Sequence, residues 1–358
     1  MNSSVFEKGL LVLLLASFLG CGNGTPPPEL KDKILYLSDE GICTINPDGT
    51  DRKVIVPSDK GGPFSNSKWS PDKRKIAFTG RVEGNARIML VDYDGSHKKV
   101  VDLPEGPKKK PKPGEPYAVL GKYDLEFKGW SPSGKYLLYN LGPVFDGRIS
   151  GVMSIKGKAV SKLEKLSTKE WGGDLMVNVM RYGGPATIGE DIFSYNFRTK
   201  GKKNLTNSKG DTLVLYKPLL SPDGKMIVFK SSGPFVSELW VMNSDGSGKK
   251  KLATPGKDFH GVVLWSLSFS SDGKKIMFIA DEGNRSQIYI INTDGTDLGA
   301  ITDKIVLATG GADWSPDGQS IIFTSDKDGN IELYTVNIDG TELRRLTNNS
   351  IMDCCPDW

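Results

Sequence analysis

The stretch ADWSPDGQSIIFTSDKDGNIELYTVNIDGTELRRLT, residues 312–347, can be laid over LSFSSDGKKIMFIADEGNRSQIYIINTDGTDLGAIT at 267–302 and SKWSPDKRKIAFTGRVEGNARIMLVDYDGSHKKVVD at 67–102. Each copy has the same parts. A short segment ends in an aromatic residue, and SPDG or a variant follows it. An apolar run comes next: IIFTS, IMFIA or IAFTG. A turn carrying Gly-Asn leads to a second, alternating run, ELYTVN, QIYIIN or RIMLVD, and an Asp-Gly-Thr/Ser turn precedes a last strand.

The turn residues have a mechanism. In SPDG, serine opens the turn, proline presets φ at the second position, and aspartate and glycine suit the third and fourth, which favours a type I turn. Asp-Gly followed by Thr or Ser between strand-like runs is a hairpin signal. Four strands joined by three tight turns make an up-and-down antiparallel sheet. One such sheet cannot bury both faces, so the units must stack, and a stack closed into a ring is a β-propeller.

The aromatic anchor counts the blades. Matching positions are Trp69, Trp130, Leu220, Phe269, Trp314 and Trp358, at intervals of 61, 90, 49, 45 and 44 residues. The first interval holds an insertion, EGPKKKPKPGEPYAVLGKY at 105–123. The second spans two periods and hides a degenerate unit, whose second half is DIFSYNFRTKGKKNLTN at 191–207. The expected fold is an all-β, seven-bladed propeller of four-stranded antiparallel blades, with six blades as the alternative if the degenerate unit packs otherwise. KILYLSDEGICTINPDGTDRKVIV at 33–56 lacks the front of a repeat, and CCPDW at 354–358 begins one. The C-terminal segment is therefore expected to supply the inner strand of the first blade, removing two exposed sheet edges.

Composition agrees with this class. Hydrophobic residues make up 37% and charged residues 25%, and 42 glycines with 21 prolines imply many tight turns. A net charge of +4 spread over many loops does not indicate nucleic acid, which needs a basic face. Only two histidines, His97 and His260, are present, so chemistry resting on several imidazoles is disfavoured.

The start of the chain reads differently. Lys8, an apolar run from Leu10 to Leu19 and then Gly20-Cys21 have the layout of a signal peptide, and the run is too short to span a bilayer. A small residue before a cysteine resembles the bacterial lipoprotein cleavage site, although Phe18 and Leu19 depart from its usual residues. That resemblance implies lipidation at Cys21 and an exported, membrane-anchored protein on the periplasmic or cell-surface side. The expected organisation is a signal segment over 1–21, a flexible Gly/Pro tether over 22–32 and one propeller domain over 33–358.

The repeat W-S-P-D-G-K, apolar strand, I-Y-x-x-N-x-D-G-T and x-L-T resembles the TolB-type, WD40-like (PD40) propeller repeats, over nearly all of Lys33 to Trp358. TolB itself carries an α/β domain ahead of its propeller, and only the short tether is read here, so a Tol role does not carry over. No G-x-S-x-G marks a nucleophile elbow. A rigid rim of variable connections without a catalytic constellation is read as a non-catalytic, lipid-anchored envelope binding or scaffold protein whose rim meets a protein or glycan. The alternative is a polysaccharide- or peptidoglycan-acting enzyme using the central channel. A structural subunit of an envelope complex is a third reading.

Individual residues sharpen this only in part. Asp326, Asp328, Asn330 and Glu332 alternate as calcium ligands do, but the glycine is misplaced and the turn recurs between blades, so hairpin geometry explains it better. Lys108, Lys109, Lys110 and Lys112 form the one dense charge run, with Tyr117 nearby. Lys108, Lys109, Lys110, Tyr117, Arg181, Tyr182 and His260, in the variable connections, are the candidate rim contacts. His97 and His260 fall in different blades, so neither metal nor cofactor is expected. Cys43 and the pair Cys354 and Cys355 are placed at one end of the first blade. A bridge from Cys43 to Cys354 or Cys355 would staple the closure, but the first and third strands of a sheet lie nearly 10 Å apart, so free or vicinal cysteines are the alternative.

Overall fold

The computed structural model describes residues 25–58, 64–101, 125–141, 149–157, 159–163, 171–172, 175–182, 189–196, 199–207, 214–232, 237–253, 264–281, 286–303 and 311–358. Their strands form seven four-stranded antiparallel sheets arranged as a seven-bladed β-propeller. The first blade has the order β28-β1-β2-β3, with β28 (Asp353–Asp357), β1 (Ile34–Ser38), β2 (Gly41–Ile45) and β3 (Lys53–Pro57). The second comprises β4 (Ser65–Trp69), β5 (Lys75–Val82), β6 (Asn85–Asp92) and β7 (Lys99–Val101), and the third runs from β8 (Leu125–Trp130) to β11 (Ala159–Leu163). The degenerate unit is a complete fourth blade, from the two-residue β12 (Trp171–Gly172) through β13 (Leu175–Tyr182) to β15 (Lys202–Asn204). The fifth begins with β16 (Val214–Leu220) and the sixth with β20 (Leu264–Phe269). The seventh comprises β24 (Ala312–Trp314), β25 (Ser320–Ser325), β26 (Glu332–Asn337) and β27 (Arg344–Arg345).

The repeated turns behave as their chemistry requires. In the last blade Gly318 N–H donates to Ser315 O at 2.9 Å, while the Ser315 hydroxyl donates to Asp317 at 2.6 Å. Gly318 sits at φ +69°, a left-handed conformation that glycine adopts without a Cβ penalty. In the Asp-Gly-Thr turn Thr341 N–H donates to Asp339 at 2.9 Å. The threonine of x-L-T also has a structural task. Thr206, Thr302 and Thr347 each accept the N–H of a third-strand residue, Ile192, Ile288 and Leu333, at 2.9–3.0 Å.

Alternation along each second strand sends neighbouring side chains to opposite blade faces. Ile76 and Phe78 pack toward Leu35 and Ile42 of the first blade, whereas Ala77 packs toward Phe127 and Leu137 of the third. A hydrophobic cluster fills every junction around the ring. The seventh-to-first junction is filled by Ile322 and Leu333 against Ile34, Tyr36, Cys43 and Ile45, with Trp358 beside them. Closure thus rests on apolar packing as well as on the ladder between β28 and β1, in which Leu35 faces Asp357 and Ser38 faces Asp353.

Residues 28–32, within the segment read as a tether, are docked on the propeller. Pro28–Leu30 form a turn of 3-10 helix, and the Leu30 side chain is buried.

Candidate functional site: the closure seam

Where β28 ends, two aspartates of matching Asp-Trp pairs reach across blade boundaries. Asp313 accepts the N–H of Trp314 at 2.9 Å and of Trp358 at 3.1 Å. Asp357 accepts the N–H of Trp69 at 2.7 Å and the Lys68 ammonium at 2.9 Å. Each carboxylate therefore caps the anchor of the following blade. Burial pushes the Asp313 carboxyl up to about 6, with the charge of Asp357 adding to it and Lys68 opposing it.

Beside them lies Lys73, which occupies the turn position held by glycine in SPDG. Its φ of +52° is the left-handed conformation, strained for a residue with a Cβ. The side chain is buried and its Nζ donates to Lys31 O at 2.9 Å and Lys33 O at 3.0 Å. Burial pushes this ammonium down to about 8, against the pull of Asp357, Asp32 and Asp313. Lys73 ties the entering chain to the second blade. Its sequence signal is the substitution of Lys for Gly in SPDK, at 70–73.

Around this junction opens a cleft of about 730 Å³ between the first and seventh blades. Pro28, Pro47, Pro316 and Trp358 supply its apolar walls. Trp358 is half-buried and its indole N–H donates to Asp32 O at 2.9 Å. Glu29, Asp32, Asp48 and Asp317 also line it, against Lys31 and Lys33, and Lys33 is engaged by Asp51. Bonds from Thr50 hold the Asp48 carboxyl below the usual range, and bonds from Ser315 and Gln319 do the same for Asp317. The cleft is therefore acidic.

The other end of β28 holds a second network. Glu332 and Asp353 are wholly buried, and Asn349 bridges them, its N–H donating to Glu332 at 2.9 Å and its amide to Asp353 at 2.8 Å. Arg345 pairs with Glu332 at 2.9 Å and approaches Asp328 at 3.9 Å, and the Tyr334 hydroxyl donates to Asp328 at 2.7 Å. Burial works to raise the Glu332 carboxyl, but bonds from Thr347, Asn349, Asn330 and Arg345 hold it below its ordinary value. Of the alternating residues, Asp328, Asn330 and Glu332 thus serve a hydrogen-bonded ion-pair network. Among the described residues no group of three or more His, Cys, Asp or Glu is placed to hold a metal ion.

Of the candidate rim contacts, Lys108, Lys109, Lys110, Tyr117 and His260 lie outside the described residues, as does Cys21. Arg181 and Tyr182 end β13, paired with Glu190 and Gly189. His97 is exposed, with Nδ1 2.9 Å from Asp92. The staple from Cys43 to Cys354 or Cys355 is not formed in this structure. Cys43 is opposite Tyr36 and Cys354 opposite Leu37, so β1 stands between them, and all three cysteines are free. Cys43 is buried, and burial pushes its thiol up to about 11.

A ring of seven small sheets, closed by a C-terminal inner strand, defines the class: a β-propeller whose first blade joins the chain's two ends. Residues 256–358 match the family model described as "TolB beta propeller domain". The Tol-Pal system protein TolB of Anaeromyxobacter dehalogenans (strain 2CP-C) is 32% identical over 83 residues, which is 23% of this chain and 17% of that protein. This chain therefore spans only a small part of that relative's length. Among solved structures, TolB from Acinetobacter baumannii superposes with a TM-score of 0.56 at 18% identity, covering 93% of this chain and 68% of that one. An oligogalacturonate lyase in complex with manganese gives 0.59 at 15% identity, with 90% and 85% covered. The β-propeller domain of the Trilobed protease from Pyrococcus furiosus gives 0.62 at 14% identity, with 88% and 94% covered. At these identities the likeness is one of fold.

Proposed function

We propose that the chain is a non-catalytic binding propeller of the cell envelope, anchored through lipid on Cys21, whose seam cleft takes a basic segment of a partner protein. The observation that carries this is the cleft itself, with proline and tryptophan walls and four carboxylates against two lysines. Its volume of about 730 Å³ is that of a ligand site. Apolar walls give contact area, and unbalanced carboxylates select cationic side chains. The turns that build the cleft are held by their own hydrogen bonds, so little ordering is required on binding. The TolB relative, named for the Tol-Pal system, supports an envelope setting.

The experiment is site-specific photocrosslinking in envelope preparations from a probe at Asn46, with mass spectrometry of the adducts. A discrete protein adduct that disappears in an Asp48→Lys, Asp317→Lys variant is expected. Release of unsaturated or reducing-end products from acidic polysaccharide or peptidoglycan by the purified chain would instead establish the enzyme reading. Intact mass of membrane-extracted protein tests the anchor: a mature chain beginning at Cys21 with acyl chains is expected.

A further inference from the structure

Cys354 and Cys355 lie mid-way along β28, the innermost strand of its blade, with Cys355 exposed and Cys354 half-buried. Adjacent residues of a regular strand point to opposite faces, so their sulfurs should be far apart. Here Cys355 adopts φ +57°, and the register against β1 shifts between Leu35 and Leu37. The same irregularity recurs three residues before other anchors: Asn66 in β4 has φ +54° and Ser266 in β20 has φ +43°, each at a register shift. The bulge is thus a property of the inner strands, which re-aims one side chain. In the first blade alone of these three it acts on a Cys-Cys pair, and the two Sγ atoms stand 3.0 Å apart. That is about 1 Å longer than a disulfide bond.

We propose that Cys354 and Cys355 are a vicinal dithiol site for thiol–disulfide exchange, whose substrate class is a disulfide-bearing molecule reaching the inner strands. The two sulfurs are not equivalent. Cys355 is the exposed thiol and Cys354 the half-buried one; the bond between the two sulfurs, with Lys68 beside it, lowers Cys355, while the same bond and burial raise Cys354. Cys355 is the attacking thiolate. It attacks one sulfur of R–S–S–R′, the S–S bond breaks, and R′S⁻ leaves and takes up a proton. Cys354 then gives up its proton and attacks Cys355 Sγ, the mixed disulfide breaks, and R–SH leaves. Two electrons pass from the dithiol to the substrate disulfide, and two protons end on the released thiols. Cys43 takes no part, being buried behind β1.

The test uses the full chain, reduced, freed of reductant and equilibrated with oxidised and reduced glutathione at graded ratios, then trapped with N-ethylmaleimide and digested with trypsin. No Lys or Arg follows Arg345, so residues 346–358 form one peptide that holds Cys354 and Cys355 but not Cys43. The expected result is loss of two hydrogens from that peptide, with loss of both alkylation sites, under oxidising ratios. Cys354→Ser should accumulate a glutathione adduct on Cys355, and Cys355→Ser should accumulate several-fold less on Cys354. Far-ultraviolet circular dichroism confirms that both variants are folded. A peptide that takes two alkyl groups at every ratio, that carries glutathione without an internal bond, or that is linked to Cys43 would overturn the proposal.

Discussion

The Asp357 carboxylate accepts the Trp69 backbone N–H at 2.7 Å, joining residues 288 positions apart in the chain. The same group holds Lys68 at 2.9 Å, so one side chain of the closing segment fixes both the anchor and a cation of the second blade. Hydrogen bonds to an enclosed charged group are worth more than neutral ones, and their loss leaves a donor unpaired.

Asp357→Ala should lower unfolding free energy by about 2–3 kcal/mol. Urea denaturation followed by tryptophan fluorescence reads this directly. Removal of residues 353–358 should cost more and should induce aggregation, because β1 then becomes an open sheet edge. An unchanged midpoint in the truncated chain would show that closure is dispensable.

Lys73 sets a local strain against a distant bond. Lys73→Ala and Lys73→Gly both remove the bonds to Lys31 O and Lys33 O, so tryptic cleavage after those two residues should quicken in each. Only glycine relieves the φ of +52°, so the Gly variant should be more stable than the Ala variant by about 1 kcal/mol. Equal stabilities would mean that the turn carries no strain.

Asp313 makes stability depend on acid. Its folded value, pushed up to about 6, exceeds the ordinary 3.8, so the folded state holds a proton that the unfolded chain releases. Stability from this group is full below about pH 4 and is lost as pH rises through about 6. Asp313→Asn should flatten the urea midpoint against pH between these values, a change of at most about 3 kcal/mol. A wild-type slope of the opposite sign across that window, unchanged in the variant, would remove Asp313 as its source.

Glu332 is a buried charge with two half-buried dependents. Glu332→Ala strips Arg345 and Asn349 of their acceptor and should cost about 2–3 kcal/mol. Glu332→Gln, which keeps the shape and one acceptor oxygen, should cost less. Thermal unfolding of both variants separates lost charge pairing from lost packing.

Much of this molecule is written locally. The SPDG and Asp-Gly-Thr turns, the period-two alternation and the interval near 45 residues determine four-stranded blades and the partnership of the chain's two ends, whereas the choice of seven blades over six is made by the complete fourth sheet of the degenerate unit. These features are legible because each depends on residues within one turn or one strand of each other. The Asp-Trp pairs at 313–314 and 357–358 are equally visible, yet their role is not, because each aspartate serves the next blade. Lys73 looks like a poor turn residue until the entering chain is laid against it. Even the cysteines follow this division. Sequence places Cys43 and Cys354 at one end of a blade on its third and first strands, while only the structure shows the inner-strand bulge that turns Cys355 toward Cys354. Local turn energetics and strand period determine the blades; contacts between residues far apart in sequence exist only once the ring is closed, and tertiary structure alone decides them.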